Sequence, residues 1–322
     1  MAMTSYGKLW QTGTSPEYDR IFWRKSFAGA SRDRQSRGPL APLVGFAHKV
    51  VMGDAGSMRR RWSEEETILA LYLYFQLPFG KLHSGNPEVQ QLAAALGRSS
   101  GSVAMKLCNF ASLDPKITES GRKGLAGASS LDRATFAKFG QDWRDLVARA
   151  ERMWAVQVEQ GEFALPHNRL ENTASEFRFE PYRGVSTTQA LVNQRVGQDF
   201  FRRAVLANYE ATCCITGIAE SRLLTASHIK PWGKDTHNRH NPANGLLLSA
   251  TLDRAFDSGL ITVDRSRRVH VSRRLRESQS PETRNYFQQF EQASLRPAIR
   301  FDPDPDFLDW HNNHCFIDQC SA

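Results

Sequence analysis

Cysteine is scarce in this 322-residue chain, and the five that occur form no framework. Cys108, Cys213, Cys214, Cys315 and Cys320 include no CxxC pair, so a zinc ribbon of ordinary spacing is excluded. An odd number of thiols without regular spacing suits a reducing cytoplasm and argues against a disulfide-stapled scaffold. Long hydrophobic runs are missing too. No apolar stretch reaches the roughly 20 residues a membrane-spanning helix needs, and the mean hydropathy is −0.49. The first residues lack the continuous apolar core of a secretory signal. The reading is of a cytoplasmic protein with no membrane partner. No internal repeat is present either, which excludes a solenoid.

Positive charge is plentiful. Lys and Arg total 42 against 34 Asp and Glu, a formal net charge of +8. A surplus of this sign suits a polyanionic partner, because cations that neutralise phosphates release condensed counterions. Hydrophobic residues make up 40% and charged residues 24%, ordinary for a globular protein, and the length suits two domains better than one.

Residues 1–57 mix Gly, Ser, Pro and Arg without sustained periodicity and read as a disordered basic tail. Met52 and Met58, just before the first patterned segment, are alternative translation starts. Residues 58–155 read as a helical domain. Ser63 and Glu66 form a capping box ahead of an apolar helix that stops at Leu77-Pro78. Helices over 87–96 and 102–113 flank a turn at Gly97. Ala93, Gly97 and Val103 fall where a helix-turn-helix requires a small residue, a left-handed residue and a buried anchor. The unit reads either as a DNA-contacting one or as a plain helical scaffold, and Arg122 and Lys123 follow in a basic loop suited to phosphate or simply solvated. One further helix is expected over 131–154, then a linker over 156–194. Residues 195–322 form the last domain, opening with an amphipathic helix over 197–209.

The chemistry-bearing residues lie between Cys213 and Asp264. A short strand ends at His228, a polar loop follows, a second strand starts at Asn244, and a helix carries Asp253. Strand, loop, strand, helix is the order of a ββα-metal finger. His228 and Asn244 are separated by an interval of 16 positions, and Asn244 and Asp253 by 9. The second interval turns residue 253 back toward the strand carrying His228. Asp257, four residues on, shares its helical face; it either joins Asp253 as a ligand or bonds the N–H groups of the Ser258-Gly259 turn. Lys230, Lys234, Arg239 and Arg254 are candidates for phosphate contact. The stretch from Leu260 to Leu275 reads as a hairpin whose basic tip and edge, including Arg265, Arg267, Arg268, Arg273 and Arg274, border the site. Cys213 and Cys214 read as core residues. His311 and His314, near Cys315, look like a metal cluster but lie in a tail outside the motif, and read as packing or as backing for DNA.

Ala226-Ser227-His228-Ile229-Lys230-Pro231-Trp232, Asn241-Pro242-Ala243-Asn244-Gly245-Leu246-Leu247-Leu248 and Leu252-Asp253-Arg254-Ala255-Phe256-Asp257-Ser258-Gly259-Leu260-Ile261 together resemble the HNH endonucleases, in the branch of bacterial restriction-type nucleases. The resemblance implies an α+β protein, a helical N-terminal domain followed by a ββα-metal nuclease domain, that hydrolyses DNA phosphodiester bonds in restriction or antiviral defence. It implies His228 as general base, Asn244 as the residue holding the loop, and Asp253 in the third motif position, where histidine is commonest. A carboxylate there suits a hard divalent cation, Mg²⁺ with Mn²⁺ as substitute. A second departure is Ser227, a poor ligand where Asp or His is common. That departure keeps open a DNA-binding regulator with a degenerate HNH fold, and the same site is also compatible with an RNA endonuclease. Double-strand cleavage by a single-cut site requires two events or two chains, so a homodimer is one arrangement left open.

Overall fold

The computed structural model describes residues 60–140, 142–159 and 188–319. The tail expected over 1–57 and most of the expected linker lie outside the described residues. The described residues belong to one compact unit, Arg59–Ala322, which contains two hydrophobic cores. The architecture is α+β.

The first core is helical. Helix α1 (Glu64–Gln76) starts at the Ser63–Glu66 capping box and is buried on all sides from Thr67 to Gln76. Such an enclosed helix needs neighbours all round, and α2 (Pro87–Ala95), α3 (Ser100–Ala111), α5 (Ser130–Phe139) and α6 (Trp143–Glu159) supply them, with the short α4 (Pro115–Glu119) after α3. The helix–turn–helix pair forms as read: Ala93 is buried, Gly97 takes φ +59°, and Val103 is fully enclosed. Its second helix starts two residues earlier than expected because Ser99 caps it by accepting from Ser102 N–H. The single helix expected over 131–154 is two helices. Gly140 ends α5, and Asp142 starts a new turn by accepting from Asp145 N–H through its side chain.

The only cation of α3, Lys106, is 5% exposed and paired with Asp132, itself 1% exposed. Trp62 lies between this ammonium and the Arg98 guanidinium, 4.6 and 4.3 Å from its ring centroid. The face that α3 leaves to solvent is therefore uncharged, carrying Gly101 and Met105.

The second core is built on two small sheets. β1 (Leu224–His228) pairs antiparallel with β2 (Gly245–Ser249), placing His228 opposite Gly245. Helix α8 (Ala250–Asp257) packs on this pair. β3 (Ile261–Val263) and β4 (Val269–Val271) form the expected hairpin around Asp264–Arg267. The hairpin ends sooner than read, because Arg273–Arg276 is a helical turn, α9. Helices α10 (Pro281–Gln288) and α11 (Pro305–His314) complete this part.

Helix α7 (Thr188–Asn208) belongs to both cores: Phe200 and Ala204 are buried in the first, Phe201 and Val205 in the second. A second tie is Arg300, whose guanidinium lies 4.3 Å over the Tyr74 ring and donates to the Tyr74 carbonyl (2.9 Å). Asn208 holds the backbone there, accepting from Arg300 and Phe301 N–H and donating to the Phe301 carbonyl. Among the described residues, no helix is long and apolar enough to cross a membrane.

Candidate active site

Strand alternation divides the β1 side chains between two neighbours. Thr225 and Ser227 face α8, while His228 faces α7. The His228 ring stacks on Phe201 with centroids 3.6 Å apart and planes within 11°, and the Trp232 ring meets it edge-on at 5.5 Å. Its Nε2 lies 3.0 Å from the Arg239 carbonyl. A carbonyl only accepts, so Nε2 carries the proton and Nδ1 is left as the lone-pair nitrogen. Burial in this aromatic slot pushes the His228 pKa down to about 4, against the pull of the Arg239 carbonyl.

Asn244 is fully buried and staples the loop between the strands. Its Oδ1 accepts from Lys230 N–H (2.8 Å), its Nδ2 donates to the Lys230 carbonyl (3.0 Å), and its own carbonyl accepts from Ile229 N–H (2.9 Å). An amide is the side chain that offers a donor and an acceptor side by side, which is what a single residue needs to satisfy both backbone groups of Lys230. The chain is thereby fixed one and two residues beyond His228. Asp235 anchors the same loop, accepting from His237 N–H and Asn238 N–H and pairing with Lys230 Nζ at 3.2 Å.

Asp253 points from α8 to β1. Burial raises its pKa, and the Ser227 and Thr225 hydroxyls together with Arg254 pull the other way. Asp257 does not serve the Ser258-Gly259 turn: those amides bond the Arg254 and Phe256 carbonyls instead. Desolvation by the surrounding protein and the neighbouring Asp253 carboxylate push Asp257, which is open to solvent on its outer side, up to about 6. Two adjacent carboxylates in this state are under-neutralised, the condition a bound cation relieves. Ser227 Oγ is buried on the same side of β1, facing the Asp253 carboxylate. Among the described residues no group of three or more His, Cys, Asp and Glu side chains is placed to hold a metal ion. The carboxylate oxygens of Asp253 and Asp257 are donors that fit a hard divalent cation.

The basic residues divide into those held internally and those left outward. Lys230 is committed to Asp235, and Arg239 donates to the Trp232 carbonyl and lies over that ring. Arg122 pairs with Glu210 at 3.4 Å. Arg265 is held by Asp306 and Asp309, and Arg267 by Asp302, so the hairpin tip is largely neutralised. Lys123, Lys234, Arg254, Arg273 and Arg274 are exposed. His311 is packing: 2% exposed, stacked on Phe256 at 3.7 Å and bonded to Thr262 and the Phe256 carbonyl. His314 stacks on Trp310. Cys213 and Cys214 are fully buried, and the Cys213 thiol accepts from Thr216 and Ser249 N–H.

Two of the groups that contact His228 carried no sequence signal. One is the Arg239 carbonyl, since every residue has one. The other is Phe201, which in sequence looks like any apolar position of an amphipathic helix.

No curated protein matches the chain. The family model described as HNH endonuclease matches residues 213–264, the segment running from the Cys213 turn through β1, β2 and α8 to the end of β3. His228, Asn244 and Asp253 all lie inside that segment and are carried on its strand–loop–strand–helix, so this part of the chain is similar to the HNH endonucleases.

Proposed function

We propose that the protein is a divalent-metal-dependent endonuclease that hydrolyses DNA phosphodiester bonds, with foreign DNA in restriction or antiviral defence as its setting. The observation that carries this reading is the state of His228. Its proton is committed to the Arg239 carbonyl on Nε2, so Nδ1 is available to take a proton from water attacking a phosphate. At a pKa of about 4 the imidazole is neutral at neutral pH. A phosphate anion brought alongside favours the imidazolium, so the base strengthens as substrate arrives.

Asn244 keeps the loop after β1 in place, and Asp253 with Asp257 would hold the cation. When bound, that ion supplies charge stabilisation at the phosphate and the leaving oxygen. Lys234, Arg254, Arg273 and Arg274 are outward cations suited to the nucleic-acid backbone, as are Lys123 and, once released from Glu210, Arg122. The helical part positions the chain on DNA, with the loop carrying Arg122 and Lys123 as its contact, since α3 presents no cation of its own.

Supercoiled plasmid incubated with the protein and Mg²⁺ or Mn²⁺ tests this directly. Nicking that disappears on chelation is expected. Binding without cleavage in any divalent metal would overturn it in favour of the DNA-binding regulator, the reading that Ser227 in a ligand position favours. Labelled RNA cut in preference to DNA would redirect the same chemistry to an RNA endonuclease.

The division of cations makes a separate expectation. Alanine at Lys234 or Arg254 should lower the slope of log K against log salt by about 0.9 per lost phosphate contact, with cleavage of bound DNA retained. Arg239→Ala should instead depress cleavage at every salt concentration, because that side chain is held within the His228 loop. Unchanged salt slopes for Lys234→Ala and Arg254→Ala would remove these residues from the interface.

A further inference from the structure

Residue 201 lies outside the segment that matches the HNH family, yet its ring makes the closest aromatic contact to His228. The imidazole lies flat on the Phe201 ring. Stacking sets the tilt of the imidazole plane, and the bond from Nε2 to the Arg239 carbonyl sets its rotation within that plane. Together they fix where the Nδ1 lone pair points.

Gly245, the residue paired with His228 across the sheet, gives a second and independent observation. A Cβ at residue 245 would stand 2.9 Å from Phe201 Cζ and 2.5 Å from Val205 Cγ2. Its φ is −131°, a conformation open to any residue, so backbone freedom does not call for glycine here. Space does: Val205 Cγ2 and, next to it, the Phe201 ring occupy the volume a side chain at 245 would need.

Helix α7 is also firmly anchored on both sides. Phe200 stacks on Tyr72 at 5.0 Å and packs near Trp143 in the helical core. Arg203 pairs with Glu88 at the start of α2, and Arg202 donates to the Leu224 carbonyl at the start of β1 (3.0 Å). The helix that presents Phe201 is therefore braced by the helical core and attached to the strand bearing His228.

We propose that Phe201 is the positioning residue for His228, with Gly245 kept small to leave room for the Phe201 and Val205 side chains. This rests on the reading of His228 as the general base.

The test compares Phe201→Leu and Gly245→Ala with Phe200→Leu, a change on the same helix but in the other core. Each full-length protein is checked for folding by thermal unfolding. Cleavage of plasmid in Mg²⁺ is measured for kcat and KM, and ring-nitrogen NMR on ¹⁵N-histidine-labelled protein reads the His228 tautomer, assigned with His228→Ala. The wild type should show the Nε2–H form. Phe201→Leu and Gly245→Ala should each lose about 10–100-fold in kcat, as for groups that orient a functional side chain, with KM within about twofold and a mixed tautomer signal. Phe200→Leu should keep both kcat and the tautomer. Unchanged kcat and tautomer in a folded Phe201→Leu or Gly245→Ala protein would overturn the proposal, as would an equal loss in Phe200→Leu. If Phe201→Leu does not fold, Gly245→Ala decides. If the wild type cuts no nucleic acid, the nuclease reading fails separately and the tautomer signal alone decides whether Phe201 sets the ring.

Discussion

His228→Ala should lower the rate of plasmid cleavage by about 10²–10⁴-fold, the usual contribution of a positioned general base, with DNA affinity nearly unchanged. That range corresponds to about 3–5 kcal/mol of transition-state stabilisation. The loss should fall on kcat, because the imidazole Nδ1 acts on the attacking water and adds little to holding the phosphate. The pH dependence has a definite sign. Burial pushes the His228 pKa down to about 4, so the base is lost only as pH falls through that value, and protonation removes the lone pair that accepts the proton. A plot of kcat/KM, which reports the free protein, should carry no acid limb from His228 between about pH 6 and pH 8. In the complex the phosphate favours the imidazolium, so the acid limb of kcat should lie above that of kcat/KM. A His228→Ala protein that cuts within about threefold of the wild type would remove His228 from the chemistry.

The largest effect on stability should come from Lys106→Met. It leaves the Asp132 carboxylate buried without its ammonium, and breaking a buried ion pair from one side costs about 3–5 kcal/mol. For a unit of this size that lowers Tm by on the order of 10 °C. Asp132 also accepts from Ser129 N–H in the capping box of α5, a bond asparagine can keep through its own Oδ1. Adding Asp132→Asn to Lys106→Met should therefore recover more than half of the loss, because it removes the stranded charge and retains the cap. Thermal and denaturant unfolding of the two proteins measure this. A Lys106→Met protein as stable as the wild type would show that the pair contributes nothing to the helical core.

Legibility followed the range of the interactions. The Ser63 capping box, the Gly97 turn and the α8 helix were readable because the groups that define them lie within a few residues of one another. The break at Gly140 was missed because Leu131 to Trp154 keeps a usable apolar pattern across it, and only the side chain of Asp142 restarts the ladder. The arginines of the β3–β4 hairpin looked available for phosphate. Asp302, Asp306 and Asp309, more than 30 residues further on, return on the C-terminal segment and bind two of them. The reading of Asp257 as a turn residue failed for a related reason: backbone carbonyls satisfied the turn, leaving its carboxylate to face Asp253.

His228, Asn244 and Asp253 were singled out by residue type and spacing, because a strand–loop–strand–helix order converts fixed intervals into fixed directions. The same spacing made Asn244 a loop staple, since few side chains can satisfy an amide and a carbonyl together. Which nitrogen of His228 carries its proton was decided in three dimensions, by a backbone carbonyl that has no residue signature. So was the partner of its ring. Phe200 and Phe201 are adjacent and chemically identical, and a helical turn of about 100° per residue sends one into each core. No local pattern records which core is which, because that depends on how the helical and ββα parts pack around α7.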